Sequence, residues 1–194
     1  MTAFGETFVT LLVIMDPVGL APVFITLTAG LTEQARRRAA VRATLAAGTL
    51  VLLFAVFGEV ILRYLDVSIE SLSIAGGLLL LVLALEMLLG IDFPTGPSGD
   101  VALVPLASPL VAGPGAIATV MVLARQYGTT EGRLAVFVGI LCAIAVVGAS
   151  LALAELLARY VPDVIVHFVT RVLGLLLAAI GVQLILRGIH GEFP

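Results

Sequence analysis

Two short stretches place residues able to do chemistry inside an otherwise apolar chain. The first, Leu11 to Thr28 (LLVIMDPVGLAPVFITLT), carries Asp16, Pro17, Gly19 and Pro22 within a run long enough to cross a bilayer. The second, Ser108 to Gly115 (SPLVAGPG), repeats the pattern with Ser108-Pro109 and Gly113-Pro114-Gly115. A charge at a bilayer midplane costs roughly 3 kcal/mol or more, and proline removes a donor from the helix ladder. Such breaks survive in lipid only where protein or a water-filled cavity satisfies the freed backbone groups. Asp and Ser are favoured N-caps and Pro is favoured at the first helical position, so Asp16-Pro17 and Ser108-Pro109 can each start a half-helix. Five residues on, Ala21-Pro22 and Gly113-Pro114-Gly115 interrupt again. The segment between is then either helical or an unwound linker, with the firm half-helix starting at the second proline. Either way, backbone N–H groups and the positive end of a helix dipole point into the protein, which suits a carboxylate-bearing solute. Thr26 and Thr119 stand where they can add hydroxyls. The candidate binding set is therefore Asp16, Pro17, Gly19, Pro22, Thr26, Ser108, Pro109, Gly113, Pro114, Gly115 and Thr119.

The elements that must hold these residues are membrane helices. Apolar side chains make up 61% of the 194 residues and charged ones 12%, with a mean hydropathy of +1.22, far from a soluble domain. All ten basic residues are Arg, and the net charge of −3 with no large basic patch argues against nucleic acid. Cys142 is the single cysteine, so no intramolecular disulfide can form. The N-terminus lacks a basic leader region and reads as a mature membrane segment. Six spans emerge, at about 4–31, 39–62, 69–91, 101–125, 134–157 and 166–186, each near the roughly 20 residues a membrane helix needs. No stretch alternates as a barrel strand does. The expected fold is an all-α membrane protein, one transmembrane domain over 1–194.

Three matches recur in order along the chain. Asp16-Pro17 pairs with Ser108-Pro109 at an offset of 92, Glu59-VIL-Arg63-Tyr64 with Glu155-LLA-Arg159-Tyr160 at 96, and Gly77-LLL with Gly174-LLL at 97. They divide the chain into repeat A (1–91), a linker (92–100) and repeat B (101–194). Because each repeat has three spans, the two lie in the membrane with opposite orientations, and helices 1 and 4 are broken near the midplane. Four arginines clustered at the connection of the first two spans and the start of the second (Arg36, Arg37, Arg38, Arg42) place that loop inside and both termini outside.

Several residues have a plainer reading. Asp16 is either an amine or proton partner or only the cap of a half-helix, and its counterpart Ser108 cannot carry a proton. Glu59/Arg63 and Glu155/Arg159 are spaced as interfacial i,i+4 pairs. Glu86 reads as snorkelling to the headgroups, and His167 and His190 lack metal-ligating partners. Gly139/Ala143, Gly148/Ala152 and Gly174/Ala178 are spaced for close helix packing. An intramembrane enzyme finds no support: there is no His-Glu-x-x-His, no His/Cys cluster and no nucleophile elbow.

The stretches IMDPVGLAPVFITLT, RRRAAVRA, SIAGGLLLLVLALEM and VPLASPLVAGPGAIATVMVL resemble the MarC (UPF0056-type) family of six-span inner-membrane proteins. The resemblance covers essentially the whole chain, and its most specific motifs are DP-x-G-x-x-P and PL-x-x-GPG. It implies a neutral amino acid transporter of the lysine-exporter superfamily, proton- or cation-coupled, with substrate held at Asp16 to Pro22 and Ser108 to Gly115. Together with the small space bounded by Gly and Pro backbone, this favours glycine-, alanine- or serine-like substrates and alternating access around the paired breaks. An exporter or channel for another small polar solute is the alternative reading. No cofactor or metal is expected. The expected partners are a neutral amino acid, the lipid bilayer and a coupling proton or cation, with a homo-oligomer left open. The expected location is the plasma (inner) membrane of a bacterium or archaeon.

Overall fold

A computed structural model describes residues 2–28, 30–90 and 113–192. Eight helices occupy them: α1 (Ala3–Met15), α2 (Pro17–Leu27), α3 (Glu33–Tyr64), α4 (Ile69–Leu89), α5 (Pro114–Gln126), α6 (Thr130–Ala152), α7 (Ala154–Tyr160) and α8 (Asp163–Glu192). No strand occurs among the described residues. Local chemistry sets the helix starts. Thr2, Thr32, Ser68 and Thr129 each accept a hydrogen bond from the N–H three residues on, and Glu6, Glu33, Glu70 and Glu131 lie in the first turns where the helix dipole favours an anion.

Five of these segments are long and apolar enough to cross a membrane: α1 with α2, then α3, α4, α6 and α8. The expected fourth span survives as the shorter apolar α5, and its upstream portion lies outside the described residues. At about 1.5 Å per residue, the 32-residue α3 is about 48 Å long and carries its arginines well beyond a bilayer core of about 30 Å. Leu45, Val60, Leu134 and Leu175 remain 64–66% exposed, an apolar surface that only lipid can cover.

The expected fifth span, 134–157, is corrected. It ends as a regular helix at Ala152, turns at Leu153 and resumes as α7. Glu155 on α7 reaches Arg36 on α3, at 3.1 Å; the expected pairing of Glu155 with Arg159 falls on a side chain outside the described residues. Glu59 and Arg63 do pair within α3, at 3.5 Å.

Close helix approach is concentrated between the halves. Along α8, Gly174, Gly181 and Gly188 recur every seven residues and meet, in antiparallel order, the backbone carbonyls of Ala84, Gly77 and Glu70 on α4. A methyl group at Gly181 would sit 2.8 Å from the Gly77 oxygen, and one at Gly188 2.6 Å from the Glu70 oxygen. Where lipid is as apolar as leucine, this backbone-level packing holds helices together. Its seven-residue period is that of left-handed crossings. Gly148 and Gly48 give α6 and α3 a similar antiparallel contact, against Thr44 and Ile144. Each of these helices thus runs antiparallel to its counterpart in the other half.

Four elements close a central ring: α1 packs on α5, α5 on α4, α4 on α8, and α8 on α1 and α2. The core follows this ring, with Leu11, Met15, Phe24, Leu80, Val120 and Leu177 buried almost completely. Leu80 and Leu177 are the matched leucines of the two Gly-Leu-Leu-Leu motifs.

Candidate functional site

The first break is built on Asp16. Its backbone takes a left-handed conformation (φ 35°, ψ 69°), which ends α1 with its N–H donating to the Leu12 carbonyl. Asp tolerates this region better than most side chains because its short carboxylate can bond locally. Here Oδ1 accepts from Gly19 N–H at 3.0 Å, while the Asp16 carbonyl accepts from Leu20 N–H at 3.0 Å. Asp16 is thus both the last residue of one half-helix and the N-cap of the next. Val18 N–H and the Thr170 hydroxyl of α8 add further hydrogen bonds to the carboxylate, which is nearly buried.

Gly19 is needed because nothing larger fits. A methyl group there would overlap the Asp16 carboxylate and stand 3.2 Å from Thr170 Oγ1. Pro17 lacks an N–H, so the Val13 carbonyl has no partner four residues on, and the Ser150 hydroxyl of α6 donates to the Pro17 carbonyl at 2.5 Å. The break is therefore supported from two neighbouring helices.

The structure settles the alternatives left open by the sequence in the first half, while in the second the segment before Gly113 lies outside the described residues. In the first, the firm half-helix begins at the first proline, Pro17, and α2 continues through Pro22 rather than breaking again. In the second, α5 begins at the second proline, Pro114, with Gly113 as N-cap. Ser108 and Pro109 lie outside the described residues, and so does the side chain of Thr26 on α2.

Gly113 caps α5 without any side-chain hydrogen bond; its carbonyl accepts from Ala116 and Ile117 N–H at 2.9 and 3.2 Å. Gly115 lies under Leu80 of α4, which leaves no room for a Cβ. Thr119, one turn on, is 2% exposed, and its Oγ1 has no hydrogen-bond partner among the described residues. At 100° per residue, Thr119 falls between the face of α5 that meets α4 (Gly115, Ala118) and the face carrying Ala116 and Val120. It therefore points toward the middle of the ring. An unpaired buried hydroxyl costs about 1–3 kcal/mol, so its persistence there calls for a use.

Tyr127 donates to Glu6 Oε2 at 2.5 Å and ties α5 to α1. The two helix starts sit at different heights: Asp16 and Gly19 meet Thr170 of α8, whereas Gly115 meets Leu80, which packs against Gly181 of the same α8, eleven residues or about 16 Å further along. The structure thus places Gly113, Pro114, Gly115 and Thr119 apart from Asp16, Pro17 and Gly19 along the bundle axis. Polar contacts close both ends. At one, Arg187 of α8 reaches Glu6 at 3.5 Å and Gln126 at 3.0 Å, tying α1, α5 and α8 together. The hydrogen bond to Glu6 also holds the Tyr127 phenol above its ordinary pKa. At the other end is Arg36–Glu155. No His/Cys/Asp/Glu cluster suited to a metal occurs among the described residues.

Sequence reasoning missed Thr170, Ser150 and Leu80. Thr170 had a signal, since it lies one turn before Gly174 on the face that Gly181 and Gly188 continue. Ser150 had none, because a serine in an apolar helix most often bonds its own backbone.

The chain can be set beside known proteins. A UPF0056 membrane protein of Methanocaldococcus jannaschii is 34% identical over 97% of this chain and 96% of its own length. The UPF0056 membrane protein YhcE of Escherichia coli is 34% identical over 98% and 94%, and YvbG of Bacillus subtilis 30% over 97% and 95%. No solved structure matches. The profile of MarC family integral membrane proteins matches residues 1–193, and the chain belongs to that family.

Proposed function

We propose that this protein is a secondary transporter of small neutral amino acids, working by alternating access about the two helix starts in the middle of the ring. Transport as such is the coarse reading that a multi-span MarC family protein supports. The single observation that carries the finer one is the Thr119 hydroxyl, buried and without a partner among the described residues, near a helix start that none of their side chains caps. In this reading the substrate carboxylate takes the first-turn N–H groups of α5, aided by the helix dipole, and its oxygen accepts from Thr119. The close approach of Leu80 to Gly115 keeps the space small, so glycine, alanine and serine fit better than branched or aromatic side chains.

The start of α2 has a different role. Its N–H groups are already taken by Asp16, so Asp16 fills that end in place of a substrate carboxylate and, by taking up and releasing a proton, serves as the coupling group. Coupling to a proton gradient is therefore assigned to Asp16. In this reading the Glu6–Tyr127–Arg187 contact joins α1, α5 and α8 at one end of the ring, and transport requires that end to open. The arginine-rich start of α3 faces the cytoplasm of the bacterial or archaeal cell, with both termini outside.

The test is uptake of labelled alanine into proteoliposomes carrying an imposed pH gradient, inside alkaline. Gradient-dependent accumulation that unlabelled glycine and serine compete away is expected. Equal accumulation in protein-free vesicles would overturn the reading.

A further inference from the structure

Away from the ring, α3, α5 and α6 enclose a cleft of about 220 Å³. Its floor is apolar, with Phe54 of α3, Met121 of α5 and Phe137 of α6, and its rim is charged, with Glu59, Arg125 and Arg133. Arg125 lies in the last turn of α5, Arg133 in the first turn of α6 and Glu59 near the end of α3, so the rim stands at one membrane face. The guanidinium of neither Arg125 nor Arg133 makes a hydrogen bond or ion pair among the described residues. Glu59 is half-exposed and held only by Arg63 of its own helix, at 3.5 Å. Beside the cleft, Val56, Phe57 and Leu134 are 53–66% exposed, so it opens toward the lipid rather than toward the ring.

We propose that this cleft is a phospholipid headgroup site whose occupant is phosphatidylethanolamine. Two guanidinium groups with unspent donors on one rim match a phosphate, which arginine binds through paired N–H groups. The Glu59 carboxylate on the same rim matches the ethanolamine ammonium. The apolar floor and the exposed Val56, Phe57 and Leu134 match the glycerol backbone and the start of an acyl chain. An anion without a hydrocarbon part would leave that floor uncovered, and phosphatidylglycerol would bring Glu59 no cation beyond Arg63 of its own helix. The row of Arg37, Arg38 and Arg42 on α3 is a different surface: an open face of one helix, suited to general attraction by anionic headgroups and to no particular lipid. The site is independent of what the protein transports, because it rests only on membrane insertion.

The experiment is delipidated protein in detergent, with its melting temperature read against added phosphatidylethanolamine, phosphatidylglycerol, phosphatidylcholine or inorganic phosphate. Phosphatidylethanolamine should raise it most and phosphate alone should not. In the double variant R125Q/R133Q the lipid-free melting temperature should hold, while lipid affinity falls about tenfold or more. E59Q should abolish the preference over phosphatidylglycerol and keep the remainder. An unchanged lipid response in the double variant, or an equal response to phosphate, overturns the proposal. Should the double variant not fold, R125K/R133K serves instead. It keeps the charge, loses the paired N–H geometry and should bind severalfold more weakly; binding equal to the parent overturns the proposal as well.

Discussion

The two helix starts at the centre are made of the same residue types and have become different objects. At Asp16 the chain spends a carboxylate and a left-handed backbone on capping α2 from within, and α8 and α6 complete the break through Thr170 and Ser150. At Gly113 no side chain among the described residues caps α5, and six residues later a buried threonine hydroxyl has no partner among them. One end of the pair is filled by the protein, and in the proposed function the other takes the ligand. A single carboxylate is enough to occupy the N–H groups of a helix start.

The sharpest way to break this comparison is to crowd the filled end. In Gly19→Val the new side chain collides with the Asp16 carboxylate and presses on Thr170. Overpacking of this kind costs about 1–3 kcal/mol, and here it displaces a cap as well, so a loss of about 3 kcal/mol is expected. The melting temperature in detergent and the folded yield measure it; an unchanged melting temperature would mean that the carboxylate is free to move aside and is no fixed cap.

Next in size is Asp16→Ala, which removes the cap and leaves a Cβ residue at φ 35°. About 2 kcal/mol should be lost. Asp16→Asn keeps the local bonding and tolerates the left-handed region, so most of that stability should return. What Asn cannot restore is proton coupling: transport down a substrate gradient should persist, while accumulation against one, driven by pH, should vanish. Gradient-driven accumulation by the Asn variant would reduce Asp16 to a cap.

The open end predicts the opposite sign. Thr119→Val keeps the shape and removes a buried hydroxyl that bonds to nothing, so the melting temperature should hold or rise. The KM for alanine should increase about 3- to 10-fold, the worth of one hydrogen bond, with little change in kcat. A stability loss with an unaltered KM would show that the hydroxyl has a structural partner.

Much of this was legible before any coordinates. An apolar run holding Asp-Pro can exist in lipid only as a supported break, and the Asp16 cap follows from residue type alone. The Gly174/Ala178 spacing also marks α8 for close packing, though the recurrence at Gly181 and Gly188 went unread. The divergence of the two ends was not legible, because Pro22 and Pro114 look equivalent in sequence and only Asp16 makes Pro17 the better starting point. Ser150 and Leu80 were invisible for the same reason: both act across helices at positions that packing, and not local pattern, decides. The turn at Leu153 hides in an unbroken apolar run, and its trace is the reach of Glu155 to Arg36.

The smallest expected effect concerns what lies above both starts. Glu6 joins Tyr127 and Arg187, and through Arg187 it reaches Gln126, so one carboxylate ties the open-end helix α5 to α1 and α8. Glu6→Gln keeps an acceptor for Tyr127 and removes the charge that holds Arg187. A partly exposed pair of this kind is worth about 0.2–1 kcal/mol, so the fold should not notice. An equilibrium between closed and open states should notice, because 1 kcal/mol is about a fivefold change in the population of the open form. If this end opens by separating α5 from α1 and α8, a cysteine placed at Gln126 in the Glu6→Gln background should react severalfold faster with an impermeant thiol reagent, and added alanine should slow it again by favouring the closed form. The same substitution should leave a cysteine at Glu33, on the opposite face, unchanged. Equal acceleration at both faces would mean that the variant has loosened the bundle as a whole and that Glu6 is a packing contact, whereas acceleration confined to Gln126 separates the two ends as independently closed.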